Sequence, residues 1–179
     1  DTLSTAEDER GRDEISRILE NLWMTEQNSV LSQTLTDSML KLGSSRALEM
    51  LIEHVEIADP EANGEAYLRY SLSQISNQGA IPQLSSYLSS GPSMEVKFLS
   101  LNALLDLGSP NATNHILSWA SSLEGESEES VYLRTTLLNS VEAKDDIAIL
   151  FKDRLVPSEF RSLELAYDLE EILSEVGLQ

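Results

Sequence analysis

The apolar residues between Val96 and Ile116 follow a helical period that is interrupted once by a short turn. Before the turn they recur at steps of three and four residues and share one helical face. They are Leu99, Ala103, Leu104 and Leu107. Gly108 is expected to end this helix, because glycine tolerates the left-handed backbone conformation that closes many helices. Ser109 as N-cap and Pro110 in the first turn then favour a second helix, so the segment predicts a helical hairpin.

The same apolar spacing recurs near Leu31, Gly64, Ser130 and Leu165, at intervals of about 32 to 35 residues. The matching positions are Leu31, Leu35, Met39, Leu42, Gly43, Ala47 and Leu51; Leu68, Leu72, Ile75, Ala80 and Leu84; Leu137, Leu138, Val141, Ile147 and Leu150; and Leu169, Ile172, Leu173, Val176 and Gly177. The spacing predicts repeats near 27–57, 64–89, 93–123, 128–155 and 158–179, the last with one helix only.

The segment before the first repeat predicts a single capping helix. Its apolar positions are Ile15, Ile18, Leu19, Leu22 and Trp23. Residues 1–13 are polar, and we expect them to fray. The sequence therefore predicts an all-α chain, with one domain over 14–179 that contains about four and a half helical hairpins behind a capping helix.

The third repeat resembles a known family. It reads Val-Lys at 96–97, Ala-Leu at 103–104 and Leu-Gly-Ser-Pro at 107–110, followed by Ala112 and Ile116. This pattern resembles the short HEAT or HEAT-like repeat, and in degenerate form it covers nearly the whole chain. The resemblance implies a right-handed, armadillo-like α-α superhelix, or solenoid, whose second helices line an inner wall. HEAT-like arrays serve as scaffolds, adaptors, regulatory subunits and some enzymes, so the resemblance leaves the function open.

On that implied inner wall, two columns of side chains suggest a binding groove. They are His54, Tyr87 and Trp119, with Met50, Gln83 and His115 one turn earlier. Tyr and Trp offer large, rigid contact areas with a polar group, which suits the recognition of a peptide or a helix. The alternative is that these rings pack against the neighbouring repeat. The exposure of Trp119 distinguishes the two interpretations.

The charge of the chain limits its partners. There are 31 Asp and Glu against 12 Lys and Arg, for a formal charge of −19. Nucleic acids and anionic membranes would be repelled, whereas a basic protein or peptide would be attracted. Glu49, Glu53 and Glu56 lie near the implied wall and could steer such a partner. The alternative is that the acidity serves solubility alone.

Residues for catalysis or for a metal site are scarce. The chain has no Cys and only two His, His54 and His115, and it contains neither a phosphate-binding loop nor a nucleophile elbow. We therefore predict no catalytic residue, metal ligand or cofactor. No apolar run approaches the roughly 20 residues of a membrane helix. The sequence starts at Asp1 and leaves the location open. The protein could be cytoplasmic, or it could be extracytoplasmic after removal of an upstream signal or anchor.

The sequence as a whole favours a non-catalytic scaffold or adaptor that binds a protein or peptide on its inner wall. Two alternatives remain. The chain could be a structural segment of a larger solenoid or complex, in which the last helix, 158–176, exposes an apolar stripe for self-association or for another subunit. It could also be an enzyme of the HEAT-like lyase type, or the regulatory subunit of one.

Overall fold

The computed structural model describes residues 2–25, 29–42, 48–49, 52, 72, 75, 78–142, 146–174 and 176. All regular structure within these residues is helical, without a strand, which confirms the predicted all-α class. The chain divides into two compact units, Asp1–Gln83 (unit 1) and Leu84–Gln179 (unit 2). Parts of the repeats predicted near 27–57 and 64–89 lie outside the described residues. The single domain over 14–179 stays a prediction.

Unit 1 begins with two helices that pack against each other, α1 (Thr2–Thr25) and α2 (Ser29–Lys41). Helix α1 includes residues 2–13, where Glu and Arg recur and are among the stronger helix formers. The fraying expected of this stretch stays a prediction.

The apolar positions of the predicted capping helix divide between the surface and partial burial. Leu19 and Trp23 are half-buried, whereas Ile15, Ile18 and Leu22 are exposed on α1. On α2, Met39 is fully buried and Leu31 is exposed, although the spacing predicted both as core residues. The apolar period therefore identified these helices more accurately than it identified the face that each one buries.

Within residues 78–142 and 146–174 the structure describes six further helices, and the first of them spans the division between the units. They are α3 (Ile81–Ser90), α4 (Met94–Asp106), α5 (Pro110–Ala120), α6 (Glu128–Glu142), α7 (Asp146–Lys152) and α8 (Leu163–Ser174). Short 3₁₀ turns at Gln78–Ala80 and Pro157–Glu159 precede α3 and α8.

The turn between α4 and α5 confirms the predicted hairpin residue by residue. Gly108 has a φ of 52°, the left-handed conformation expected at the end of α4. The side chain of Ser109 accepts a hydrogen bond from the Ala112 N–H at 3.2 Å, and Pro110 is the first residue of α5. Leu99, Ala103 and Leu104 are buried as predicted, whereas Leu107, predicted for the same face, is half-buried.

Serine N-caps mark the start of each of the longer helices after α3. The hydroxyls of Ser93, Ser109, Ser127 and Ser162 each accept a hydrogen bond from the backbone N–H three residues further on. The side chain thereby satisfies one of the backbone donors that a helix start leaves without a partner. Of these four caps, the sequence predicted only the one at Ser109.

The helices of unit 2 pack in an ordered sequence. Helix α4 contacts α5, and α6 contacts α7, so each pair forms a hairpin. In addition α4 contacts α6, α6 contacts α8, and α5 contacts α7. First helices thus pack against first helices, and second helices against second helices. The buried side chains between them include Leu99, Leu104, Leu133, Leu137, Phe151, Leu165 and Leu169.

The weaker fourth repeat buries fewer residues than the sequence predicted. Leu137 is fully buried, but Leu138 is 41% exposed, and Val141, Ile147 and Leu150 are half-buried. Leu133 lies one turn before Leu137 and fills the same core-facing side of α6, so that Leu138, about 100° further round the helix, points away from it.

Candidate binding surface

The second helices of unit 2 bury one face and expose the other. Helix α5 buries Ala112, Ile116 and Ala120, whereas α7 buries Ala148 and Phe151. The small alanines allow close approach of the neighbouring helices. Thr113, Leu117 and Trp119 of α5 are buried as well, so only the side chains on the opposite face of each helix reach the surface.

That opposite face forms what we call the second-helix surface. It comprises Ser86 and Tyr87 on α3, Asn114, His115 and Ser118 on α5, Ile149 on α7 and Asp153 directly after α7. Tyr87 and His115 are half-buried, and the others are exposed. Most of the side chains are short and polar, and Ile149 adds an exposed apolar contact.

A side-chain hydrogen bond links α3 to α5 at this surface. The Ser85 hydroxyl lies 3.0 Å from Nδ1 of His115. Since a neutral imidazole nitrogen can either donate or accept, the direction of this bond depends on the tautomer. In either tautomer the bond fixes the ring of His115 beside α3, which holds this part of the surface in a defined shape.

Trp119 does not belong to the exposed surface. It is only 7% exposed, and Ile116 and Ala120 of the same helix are buried as well. The interpretation of Trp119 as a ring that lines an open groove is therefore wrong for this residue, and the packing alternative holds. The physical reason is its position, because Trp119 lies seven residues after Ala112 and three after Ile116 and so falls on the buried side of α5.

The remaining predicted binding residues have different outcomes. Gln83 and Tyr87 lie one turn apart on α3 and are both half-buried, and His115 carries the bond to Ser85. Glu49 is half-buried in unit 1. Their binding roles stay predictions. Met50, Glu53, His54 and Glu56 lie outside the described residues.

The first helices of unit 2 are joined by an aromatic stack that the sequence analysis missed. The rings of Phe98 on α4 and Tyr132 on α6 stack with their centroids 3.9 Å apart and their planes 5° apart. The Asn102 side-chain amide donates to the Tyr132 hydroxyl at 2.9 Å. The signal was present in the sequence, because the two rings are one repeat length apart. Aromatic pairs of this kind stabilise packing beyond the area that they bury.

An ion pair reinforces the same interface. Lys97 on α4 donates to Glu129 on α6 at 3.1 Å. Burial raises the pKa of Glu129. Three interactions lower it: a hydrogen bond from the backbone N–H of Glu129, a hydrogen bond from Lys97 and the positive charge of Lys97. Together they outweigh burial and hold the pKa of Glu129 below its usual range. Glu129 therefore stays ionised at neutral pH and holds Lys97 in this interface.

The cations of unit 2 are engaged by the unit itself. Each Lys and Arg that the structure describes there lies near an acceptor of the same unit: Lys97 near Glu129, Arg134 near Asp168 and the Gly125 carbonyl, Lys152 near the Val176 carbonyl, Arg154 near the Leu150 carbonyl, and Arg161 near Glu124. Residues 84–179 carry sixteen Asp and Glu against six Lys and Arg. The surface of unit 2 therefore retains a large excess of negative charge.

The described residues hold no group of three or more His, Asp or Glu side chains that could bind a metal ion. Comparison with known proteins finds no family model that matches the sequence, no similar curated protein and no similar solved structure. Among the described helices, none is long and apolar enough to cross a membrane.

Proposed function

We propose that unit 2 is a stack of HEAT-like helical hairpins that binds a basic protein or peptide along the second-helix surface. The observation that carries this proposal is the ordered packing, in which second helices contact second helices. Helices in such a row present a continuous surface across several repeats, which is how solenoids bind extended partners. On this proposal the stack is a right-handed superhelix, and the chain is an adaptor without catalytic activity.

The charge of unit 2 supports a basic partner. Its described cations are held by internal acceptors, so that a partner's Lys and Arg side chains would meet carboxylates with little competition. Asp153 is exposed at the second-helix surface itself. Opposite charges on two partners raise the rate of association and penalise acidic competitors.

The short polar side chains on α5 support recognition of a main chain rather than of one large side chain. Asn114 and Ser118 are exposed one turn apart and can each donate and accept hydrogen bonds. An extended or helical peptide that lies across the row would present backbone groups to both. Ile149 on α7 would add an apolar contact next to them.

Two double variants with the same added charge test this proposal. Peptides selected from a random library against the wild-type chain should carry net positive charge. Asn114→Lys/Ser118→Lys should weaken their binding at least about 10-fold, because it places two long cations on the second-helix surface. Thr135→Lys/Asn139→Lys adds the same charges at the same spacing on an exposed part of α6, and should have a much smaller effect. Isothermal titration calorimetry would measure both affinities.

Three results would count against the proposal. They are selected peptides without net positive charge, an equal loss of affinity in both double variants, and an unchanged affinity in the α5 variant. Equal losses would mean that only the total charge of the protein attracts the peptides.

A further inference from the structure

A cleft of about 490 Å³ lies between the end of α7 and the exposed side of α8. Leu155, Tyr167 and Leu173 contribute apolar surface to it, and Glu170 and Glu171 contribute carboxylates. It is separate from the second-helix surface, because it shares no residue with the set that defines that surface. Nothing in the proposed function uses it.

The location of the cleft follows from the way the hairpins pack. Helix α5 covers α4 and contacts α7, while α7 covers α6 and contacts both α5 and α8. A further second helix, placed by the same rule, would cover α8 and contact α7. Residues of α7, of the segment after it and of α8 line the cleft. The cleft thus has the two walls between which the packing rule would seat a helix.

The exposed side of α8 suits a helix with an apolar face. Leu165, Leu169 and Leu173 are buried against the rest of unit 2, whereas Tyr167 is 61% exposed. A large exposed aromatic ring beside the half-buried Leu155 is typical of a contact surface that a partner covers.

The charge at the cleft selects among helical partners. Glu170 and Glu171 are both exposed beside Tyr167. The lysine in the cleft, Lys152, donates to the Val176 carbonyl at 2.7 Å, so its ammonium group is already engaged. An incoming helix would therefore meet carboxylates, and Lys or Arg next to its apolar face would pair with them.

We propose that the cleft between α7 and α8 binds an amphipathic helix of a partner protein. That helix carries a small and a large apolar residue three positions apart, with Lys or Arg beside them. The chain itself contains such a pair, because Ala148 and Phe151 are the buried residues of α7 and lie three positions apart. A second copy of this chain fits less well, because its formal charge of −19 opposes self-association.

A single fluorescent label at the cleft tests the proposal. Because the chain has no Cys, Ser174→Cys introduces one labelling site at the cleft, and Ser118→Cys introduces one at the second-helix surface. The probe is an 18-residue synthetic helix with Ala and Leu on one face and Lys on its flanks, compared with the same peptide carrying Glu instead of Lys. The Lys peptide should change the emission of the label at 174 with saturation, and the Glu peptide should not.

Matched variants identify the side chains that bind the probe. In the labelled chain, Tyr167→Ser should weaken binding about 10-fold, and Val131→Ser, which removes a half-exposed apolar side chain from α6, should not. Glu170→Gln/Glu171→Gln should weaken binding about 5-fold or more. The control, Glu95→Gln/Glu128→Gln, removes the same charge from exposed positions outside the cleft and should weaken binding less than about 2-fold. Circular dichroism would establish that each variant folds.

The proposal is overturned if the Lys peptide leaves the label at 174 unchanged, if the Glu peptide binds as well, or if both Gln pairs weaken binding equally. It is also overturned if sedimentation shows a dimer that Tyr167→Ser abolishes, since a second copy would then occupy the cleft. Failure of the second-helix variants alone would leave the response at 174 intact, so the two proposals are tested separately.

Discussion

Replacing Trp119 by Ala is expected to lower the free energy of unfolding by about 3–5 kcal/mol, the usual cost of deleting a large aromatic side chain from a core. Trp119 is only 7% exposed, so its removal leaves a cavity that the surrounding helices cannot fully close. Urea denaturation of the full chain, followed by circular dichroism at 222 nm, measures the change.

Trp23→Ala is the matched control for this substitution. Trp23 is half-buried on α1, so its removal should cost clearly less than that of Trp119. A loss of less than about 1 kcal/mol for Trp119→Ala, below the range for core aromatic residues, would contradict the burial described here. Such a result, combined with weaker binding of basic peptides, would restore the interpretation of Trp119 as a groove residue.

Gly91→Ala is expected to destabilise the protein by about 1–3 kcal/mol, the range for overpacking a close contact. A Cβ at this position would lie 2.5 Å from the carbonyl oxygen of Tyr87 and 3.2 Å from Cγ1 of Val96. The Tyr87 carbonyl also accepts the Gly91 N–H at 2.7 Å, so moving it away would strain the link between α3 and α4. The same denaturation measurement reports this change.

The control for Gly91→Ala is the same substitution at Gly11, where an added Cβ meets no atom within 4 Å apart from its chain neighbours and the backbone of its own helical turns. Gly11 lies inside α1, and Ala is favoured over Gly in a helix by roughly 0.5–1 kcal/mol. The two substitutions should therefore have opposite signs. Stabilisation by Gly91→Ala would show that α3 and α4 can separate at little cost.

The fold was predictable where single residues fix the backbone. Gly108, Ser109 and Pro110 each have one strong local preference, and together they located the turn between α4 and α5. The apolar period was less informative, because several neighbouring positions on a helix fit it equally well. Leu137 and Leu138 both matched it, and only the packing of α6 against its neighbours decides that Leu137 is buried.

The candidate site was harder to predict than the fold. Sequence reasoning gave Tyr87 and Trp119 equivalent places, yet one is half-buried and the other is in the core. Small rotations of each helix about its axis set this difference, and they depend on contacts with other repeats. The stack of Phe98 on Tyr132 is a contact of the same kind, recognisable only after the two helices are known to be neighbours.

The central claim is that the second-helix surface of unit 2 binds a basic peptide. The most direct test is a titration of the isotope-labelled chain with a selected basic peptide, followed by amide chemical shifts. We expect the largest changes at Asn114, His115 and Ser118 of α5, at Ile149 of α7 and at Asp153, which follows α7. Changes confined to the exposed residues of α4 and α6, or no changes at saturating peptide, would contradict the claim.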